Sequence, residues 1–236
     1  MSLPRRARTI DLENPFSPTI DGMCELVLVR HGEQVLPHNI AAGEAVDPPL
    51  SELGERQVQA VAERLASMHI DAIYSSPLQR ALATGEAIGK AHGLTPVPLD
   101  ALCEINPWAT FPPDKGFFDV LGRDEVTAIF RAHGRTRKFT AFPYTEDPVA
   151  FRARVVGALG EIVDAHLSQR VVVTCHSGVV NAYLAHVFES DLDMLVRVHH
   201  TALTAFRGAD TRRSVLYVND YAHVLPFQTS PGDSNL

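Results

Sequence analysis

Two short apolar runs constrain this chain more than any other feature: Cys24-Glu-Leu-Val-Leu-Val-Arg30 and Arg170-Val-Val-Val-Thr-Cys175. Both lack the polar alternation of a half-exposed strand, so each reads as a strand buried on both faces. Such strands occur where helices cover a parallel sheet. Each run stops at a histidine, the first in Arg30-His31-Gly32-Glu33 and the second in His176-Ser177-Gly178.

The segments between them supply the helices. Ser51 can cap a helix whose apolar positions Leu53, Val58, Val61, Leu65 and Met68 fall near helical spacing. Asp71-Ala-Ile-Tyr74 reads as a second strand, and Ser76-Pro77 with Gly93 brackets a helix over 77–92 that carries Arg80 in its first turn. Residues 96–104 read as extended. Three prolines and two glycines in 106–122 predict a loop or lid, followed by a helix over 123–133. Asp147-Pro148 opens a helix with Phe151, Val155, Leu159 and Ile162 on its apolar face. Ser177 is expected to cap a helix reaching about residue 188, and strands follow near 202–207 and 214–218. This alternation predicts a three-layer α/β/α sandwich with a mostly parallel central sheet. The 236 residues fit one large domain over 23–227, with a lid or insertion around 106–146, an N-terminal extension over 1–22 and a frayed tail over 228–236.

Charge narrows the partners. Lys+Arg 21 against Asp+Glu 28 gives a net charge of −7, so neither nucleic acid nor a membrane surface is an expected partner, and any anion must be held by local arginines. The basic cluster Arg131, Arg135, Arg137 and Lys138 is the one patch suited to a larger polyanion, and a solvated loop face is its simpler reading. No stretch approaches the roughly 18 apolar residues of a membrane helix. Acidic residues and prolines interrupt the arginines of 1–22 where a signal peptide needs an apolar run. The three cysteines, Cys24, Cys103 and Cys175, stand far apart, which fits a reducing compartment and predicts the cytoplasm.

In open α/β sheets the site lies beyond the carboxyl ends of the strands, which is where both histidine motifs fall. Together with Asp47-Pro-Pro-Leu-Ser51, Tyr74-Ser-Ser-Pro-Leu-Gln-Arg80, Leu102-Cys-Glu104, and Val218-Asn-Asp220 with His223, they run in the order found in the histidine phosphatase superfamily, or phosphoglycerate mutase-like family, which the chain resembles over residues 24–225. The resemblance implies that His31 is the nucleophile that takes a phosphoryl group, that Arg30 and Arg80 clamp its oxygens, and that Glu104 is the proton donor. It implies that His176 donates to a non-bridging oxygen and that the backbone near Ser177 adds a further contact. It implies no cofactor, a small phosphorylated substrate, and phosphomonoester hydrolysis through a phosphohistidine.

Elementary chemistry agrees with these roles. The nucleophile must be unprotonated, and two neighbouring guanidinium groups oppose a third positive charge. Arginine's planar fork matches phosphate oxygens, and the charge it supplies leaves no need for a metal. The leaving alkoxide needs a proton, so Glu104 must be protonated in the first step and act as base on water in the second.

Two departures bear on the reaction. Where the family's mutases place an asparagine six residues after the first histidine, Pro37 stands here, with His38 and Asn39 nearby. After the acid, Ile105-Asn-Pro-Trp108 replaces the mutases' Arg-His-Tyr-Gly stretch. The first leaves His38 or Asn39 to substitute or the phosphate short of a contact, and the second favours hydrolysis over phosphoglycerate mutase-type transfer, while a non-catalytic phospholigand-binding scaffold would have no use for the proton donor. Whether the chain forms a homodimer is left open.

Other patterns carry less. Cys24 and Arg30 have the spacing of cysteine-dependent phosphatases, but a strand-forming run lies between them where an amide-presenting loop is needed. Adjacent Cys175 and His176 point to opposite faces of a strand. His199-His200 is a poor chelating pair.

Overall fold

The computed structural model describes residues 22–35, 41–209 and 212–227. The tail over 228–236, nearly all of the extension over 1–22, and Pro37, His38 and Asn39 lie outside the described residues. Among the described residues six strands form one sheet: β1 (Cys24–Arg30), β2 (Ala72–Ser75), β3 (Val97–Pro98), β4 (Arg170–Cys175), β5 (Leu203–Ala209) and β6 (Arg212–Asp220). Their order is β3-β2-β4-β1-β5-β6. The first four are mutually parallel, and β5 and β6 are antiparallel additions on the far side of β1. The sheet is therefore mixed, with its parallel part where the two buried runs predict it.

Among the described residues five helices complete the layers: α1 (Glu52–Leu65), α2 (Gln79–His92), α3 (Phe117–Thr136), α4 (Pro148–Ala165) and α5 (Ser177–Val187). Alternate residues of the central strands face opposite ways. Leu26, Leu28, Val171 and Val173 pack with Phe151, Val155 and Leu159 of α4 and Val180 and Leu184 of α5. Val27, Val29 and Val172 pack with Val61 and Leu65 of α1 and Ile88 of α2. Continuous apolar strands are thus explained by helices on both faces.

The caps of α1 and α4 form as the sequence predicts: Ser51 accepts from the Gly54 amide and Asp147 from that of Val149. Gly93, at φ 65°, closes α2 in the left-handed conformation that glycine adopts without strain.

Four local expectations are corrected. Residues 96–104 form only the two-residue edge strand β3 and a 3-10 turn at Asp100–Leu102, because Pro96 and Pro98 cannot donate to a ladder. The helix expected over 123–133 runs from 117 to 136, across a kink at Gly122 whose φ of 77° only glycine takes easily. The helix expected from residue 77 starts at Gln79, with Ser76 accepting from the Leu78 amide at 3.3 Å. Ser177 does not cap α5: it is the first helical residue, and His176 holds the cap position.

Candidate active site

Register brings the two histidine motifs together. Arg30 pairs with Cys175 across β1 and β4, and Ser75 with Thr174 across β2 and β4, so His31, His176 and Ser76 are the first residues beyond three adjacent parallel strands. The His31 amide donates to the Cys175 carbonyl at 2.9 Å, and the Ser76 amide to that of Thr174 at 2.9 Å. Gly32 lets the turn after His31 lie on α1, since a Cβ there would sit 2.6 Å from the Gly54 carbonyl oxygen. Ser51 also donates to Glu33 at 2.9 Å, tying the start of α1 to the same turn.

The His31 ring is almost wholly buried. Its Nδ1 lies 2.6 Å from the Gly32 carbonyl oxygen. A carbonyl can only accept, so Nδ1 carries the proton and Nε2 keeps its lone pair. Arg80 Nε donates to that lone pair at 3.3 Å. Burial first, then competition with His176 for a shared proton and the charges of Arg30 and Arg80, hold the His31 imidazole well below its ordinary pKa.

Arg80, in the first turn of α2, is the hub. Its NH2 lies 3.4 Å from Nδ1 of His176, and its NH1 donates to the Val46 carbonyl at 3.1 Å and lies 3.6 Å from Asp47. Asp47 also accepts from the Gln79 amide at 2.9 Å, placing an anion beside a helix N-terminus that carries an arginine. A guanidinium can only donate, so Nδ1 of His176 is the acceptor and its Nε2 donates to Ser76 Oγ at 2.8 Å. Burial, followed by Arg80 and Arg30, lowers the His176 pKa well below the usual range.

Arg30 donates through NH1 to the Val198 carbonyl at 2.5 Å, and its buried Nε has no partner among the described residues. Burial pulls its pKa down to about 10, with Glu104 opposing and Arg80 adding to the fall.

Glu104 lies on the irregular segment that follows the 3-10 turn, and its carboxylate rests on the N-terminus of α5. Oε2 accepts from the Gly178 amide at 3.0 Å and Oε1 from the Ile105 amide at 3.0 Å. A Cβ on Gly178 would fall 2.2 Å from Oε1, so glycine is what lets the carboxylate dock there. Burial raises the Glu104 pKa against the opposing pull of these two amides and of Arg80 and Arg30.

The structure thus gathers Arg30, His31, Arg80, Glu104 and His176 at one end of the sheet, with Ser177 beside them at the start of α5. It also adds a residue that sequence reasoning set aside. The His200 ring lies 5.7 Å from that of His31, its Nε2 is buried with no partner among the described residues, and burial with Arg30 lowers its pKa to about 2. Its place follows from the direction of β5, which the sequence does not signal: an antiparallel neighbour of β1 begins where β1 ends, so the residues just before it abut His31.

Cys24 and Cys175 are fully buried in the core, and burial pushes the Cys24 thiol up to about 12, which leaves it inert. Among the described residues no group of three His, Cys, Asp or Glu side chains is placed to hold a metal ion.

Known proteins resemble this chain over most of its length. Phosphoserine phosphatase 1 of Hydrogenobacter thermophilus is 31% identical over 211 residues, covering 87% of this chain and 96% of that protein. Phosphoglycerate mutase-like protein 4 of Arabidopsis thaliana is 27% identical over 220 residues, covering 90% and 92%. Among solved structures, phosphoglycerate mutase from Bacillus anthracis superposes with a TM-score of 0.68 at 20% identity, covering 87% of this chain and 96% of that one. The mycobacterial glucosyl-3-phosphoglycerate phosphatase Rv2419c gives 0.64 at 22% identity, covering 84% and 99%. These structural likenesses speak to the fold. The model of the histidine phosphatase superfamily, branch 1, matches residues 26–221, a span that begins in β1 and ends just past β6, and the chain belongs to that superfamily.

Proposed function

We propose that this protein is a phosphomonoester hydrolase working through a phosphohistidine on His31. The observation that carries the reading is the state of the His31 ring: Nδ1 is committed to the Gly32 carbonyl, and the Nε2 lone pair faces the Arg80 guanidinium. A phosphoryl group bound by Arg80 takes over that guanidinium donor, releasing the long 3.3 Å hydrogen bond to Nε2, and meets the one ring nitrogen that carries no proton.

In the first step the Nε2 lone pair forms a bond to phosphorus as the bond to the ester oxygen breaks, and that oxygen takes the proton of Glu104. In the second, water attacks phosphorus, the P–N bond breaks with its electron pair returning to Nε2, and Glu104 takes a proton from that water. Arg30 and Arg80 carry the phosphoryl charge, which is why we propose a reaction that needs no metal and survives a chelator. His176 is neutral in the free site and meets its neighbours by accepting from Arg80. To donate to a phosphate oxygen through Nδ1 it must either take up a proton, which an arriving dianion favours by offsetting the two guanidinium charges, or move its ring proton from Nε2 to Nδ1 with the Ser76 hydroxyl donating to Nε2. The backbone at Ser177 adds donors from the start of α5.

The substrate class is a small phosphorylated metabolite, supported by a relative named for phosphoserine hydrolysis that matches nearly end to end. Residues 106–146 are proposed as the lid of the catalytic domain, and the isolated cysteines support a cytoplasmic setting. The test sets inorganic phosphate release from a panel including phosphoserine against interconversion of 3- and 2-phosphoglycerate. Faster release supports the hydrolase, and much faster interconversion overturns it.

A further inference from the structure

Glu104 must stand at a fixed height over the phosphoryl pocket, yet the segment that carries it belongs to no strand and no α-helix. Its support comes from α4. NH1 of Arg154 donates to the carbonyls of both Ala101 and Cys103, at 2.7 and 2.8 Å. NH2 of the same guanidinium lies 3.3 Å from Oε1 of Glu146, and that oxygen also accepts from the Asn106 amide at 2.8 Å. The Glu146 amide donates back to the Asn106 carbonyl at 3.0 Å. The chain is therefore gripped immediately before Glu104 and two residues after it. Asn106 tightens the exit by accepting from the Trp108 amide at 2.9 Å, and the guanidinium lies 4.7 Å from the Phe151 ring centroid, which fixes its plane.

We propose that Arg154, with Glu146, is a positioning residue that sets Glu104 within reach of the leaving oxygen; this rests on Glu104 being the acid. An Arg154–Glu146 ion pair with each side chain near 30% exposed contributes little to stability by itself. What the guanidinium holds is two backbone carbonyls and a carboxylate at once, a fork that a lysine ammonium does not reproduce.

The effect should therefore show in chemistry more than in folding. The test is burst kinetics on glycerol 2-phosphate, an alkyl ester that needs the proton, and p-nitrophenyl phosphate, which leaves without it. Wild type is compared with Arg154→Met, Glu104→Gln and the double variant. Glu104→Gln is expected to lower alkyl phosphorylation on the order of 100-fold or more and nearly spare the aryl burst. Arg154→Met is expected to lower the alkyl rate roughly 10- to 100-fold with the aryl burst within about 3-fold of wild type. Because Arg154 acts through Glu104, the double variant should be no slower on the alkyl ester than Glu104→Gln alone, and Arg154→Lys should recover part of the loss.

Losses that multiply in the double variant, or an Arg154→Met loss equal on both esters, overturn the role of Arg154 while leaving Glu104 as the acid. Equal losses on both esters for Glu104→Gln overturn the acid itself, and the role of Arg154 with it. If Arg154→Met does not fold, Glu146→Gln carries the same comparison with the same outcomes.

Discussion

Three neutral imidazoles, those of His31, His176 and His200, crowd one guanidinium pair, and their suppressed protonation has a direct consequence for stability. His223, whose Nε2 lies 3.0 Å from Thr201 Oγ1, joins them with a pKa lowered to about 4, chiefly by burial. In the unfolded chain each takes a proton as the pH falls through about 6.5, whereas the folded state refuses it. The unfolded state then binds more protons, so stability falls with falling pH. Glu104, raised in the fold, works the other way, but it is one group against four. Thermal melts should be flat above neutrality and decline steadily from about pH 6.5 to about pH 4. A melting temperature that holds or rises across that window contradicts the assignment of neutral rings. Activity has the opposite dependence on the alkaline side: turnover of alkyl esters should fall as Glu104 ionises, while the neutral His31 imposes no acid limb near 6.5. Gly178→Ala makes a second residue-scale test. Its methyl would sit 2.2 Å from Glu104 Oε1, so the carboxylate must move. Alkyl turnover should fall roughly 10- to 100-fold with the aryl burst little changed, and unaltered alkyl turnover would show that the carboxylate does not need its place on α5.

At the scale of elements, the approach of α1 to the turn after His31 decides what glycine does. In a free helix Gly→Ala stabilises by about 1 kcal/mol. At Gly54 the new Cβ would fall 2.0 Å from the Glu33 carbonyl oxygen, a clash with backbone that no rotamer relieves. Overpacking of this kind costs typically 1–3 kcal/mol, so Gly54→Ala should lower urea stability by roughly 1–2 kcal/mol net, and a gain would mean that α1 is free to withdraw. The elements legible in the sequence were those with a local cause: β1 and β4 by their apolar runs, α1 and α4 by their caps, and the end of α2 by Gly93. Those misread turned on a proline or glycine at one position, or on where a neighbouring element ends. Ser177 lost the cap position to His176 because β4 ends at Cys175 and the chain turns at once. The 106–122 segment hid the first turn of α3 because Gly122 interrupts the helical pattern without ending the helix.

For the whole molecule, the parallel part of the sheet and the meeting of Arg30, His31 and His176 could be read from where two apolar runs stop, because parallel strands bring their carboxyl ends to one edge, whereas Arg80 and Glu104 were reached only through the ordered motifs of the family resemblance. His200 could not, since its place depends on the direction of β5, which no pattern in residues 202–207 encodes. Nor could Arg154, whose partners are carbonyls about fifty residues away and carry no side-chain signature. The central claim, that His31 takes the phosphoryl group, is tested most directly by trapping. The enzyme is mixed with a phosphate-labelled monoester, quenched without acid, and the label is located by peptide mapping. Label on His31, lost on acid treatment and absent from His31→Ala, is the predicted result; label that persists in His31→Ala, or that maps to Cys24 or another residue, contradicts it.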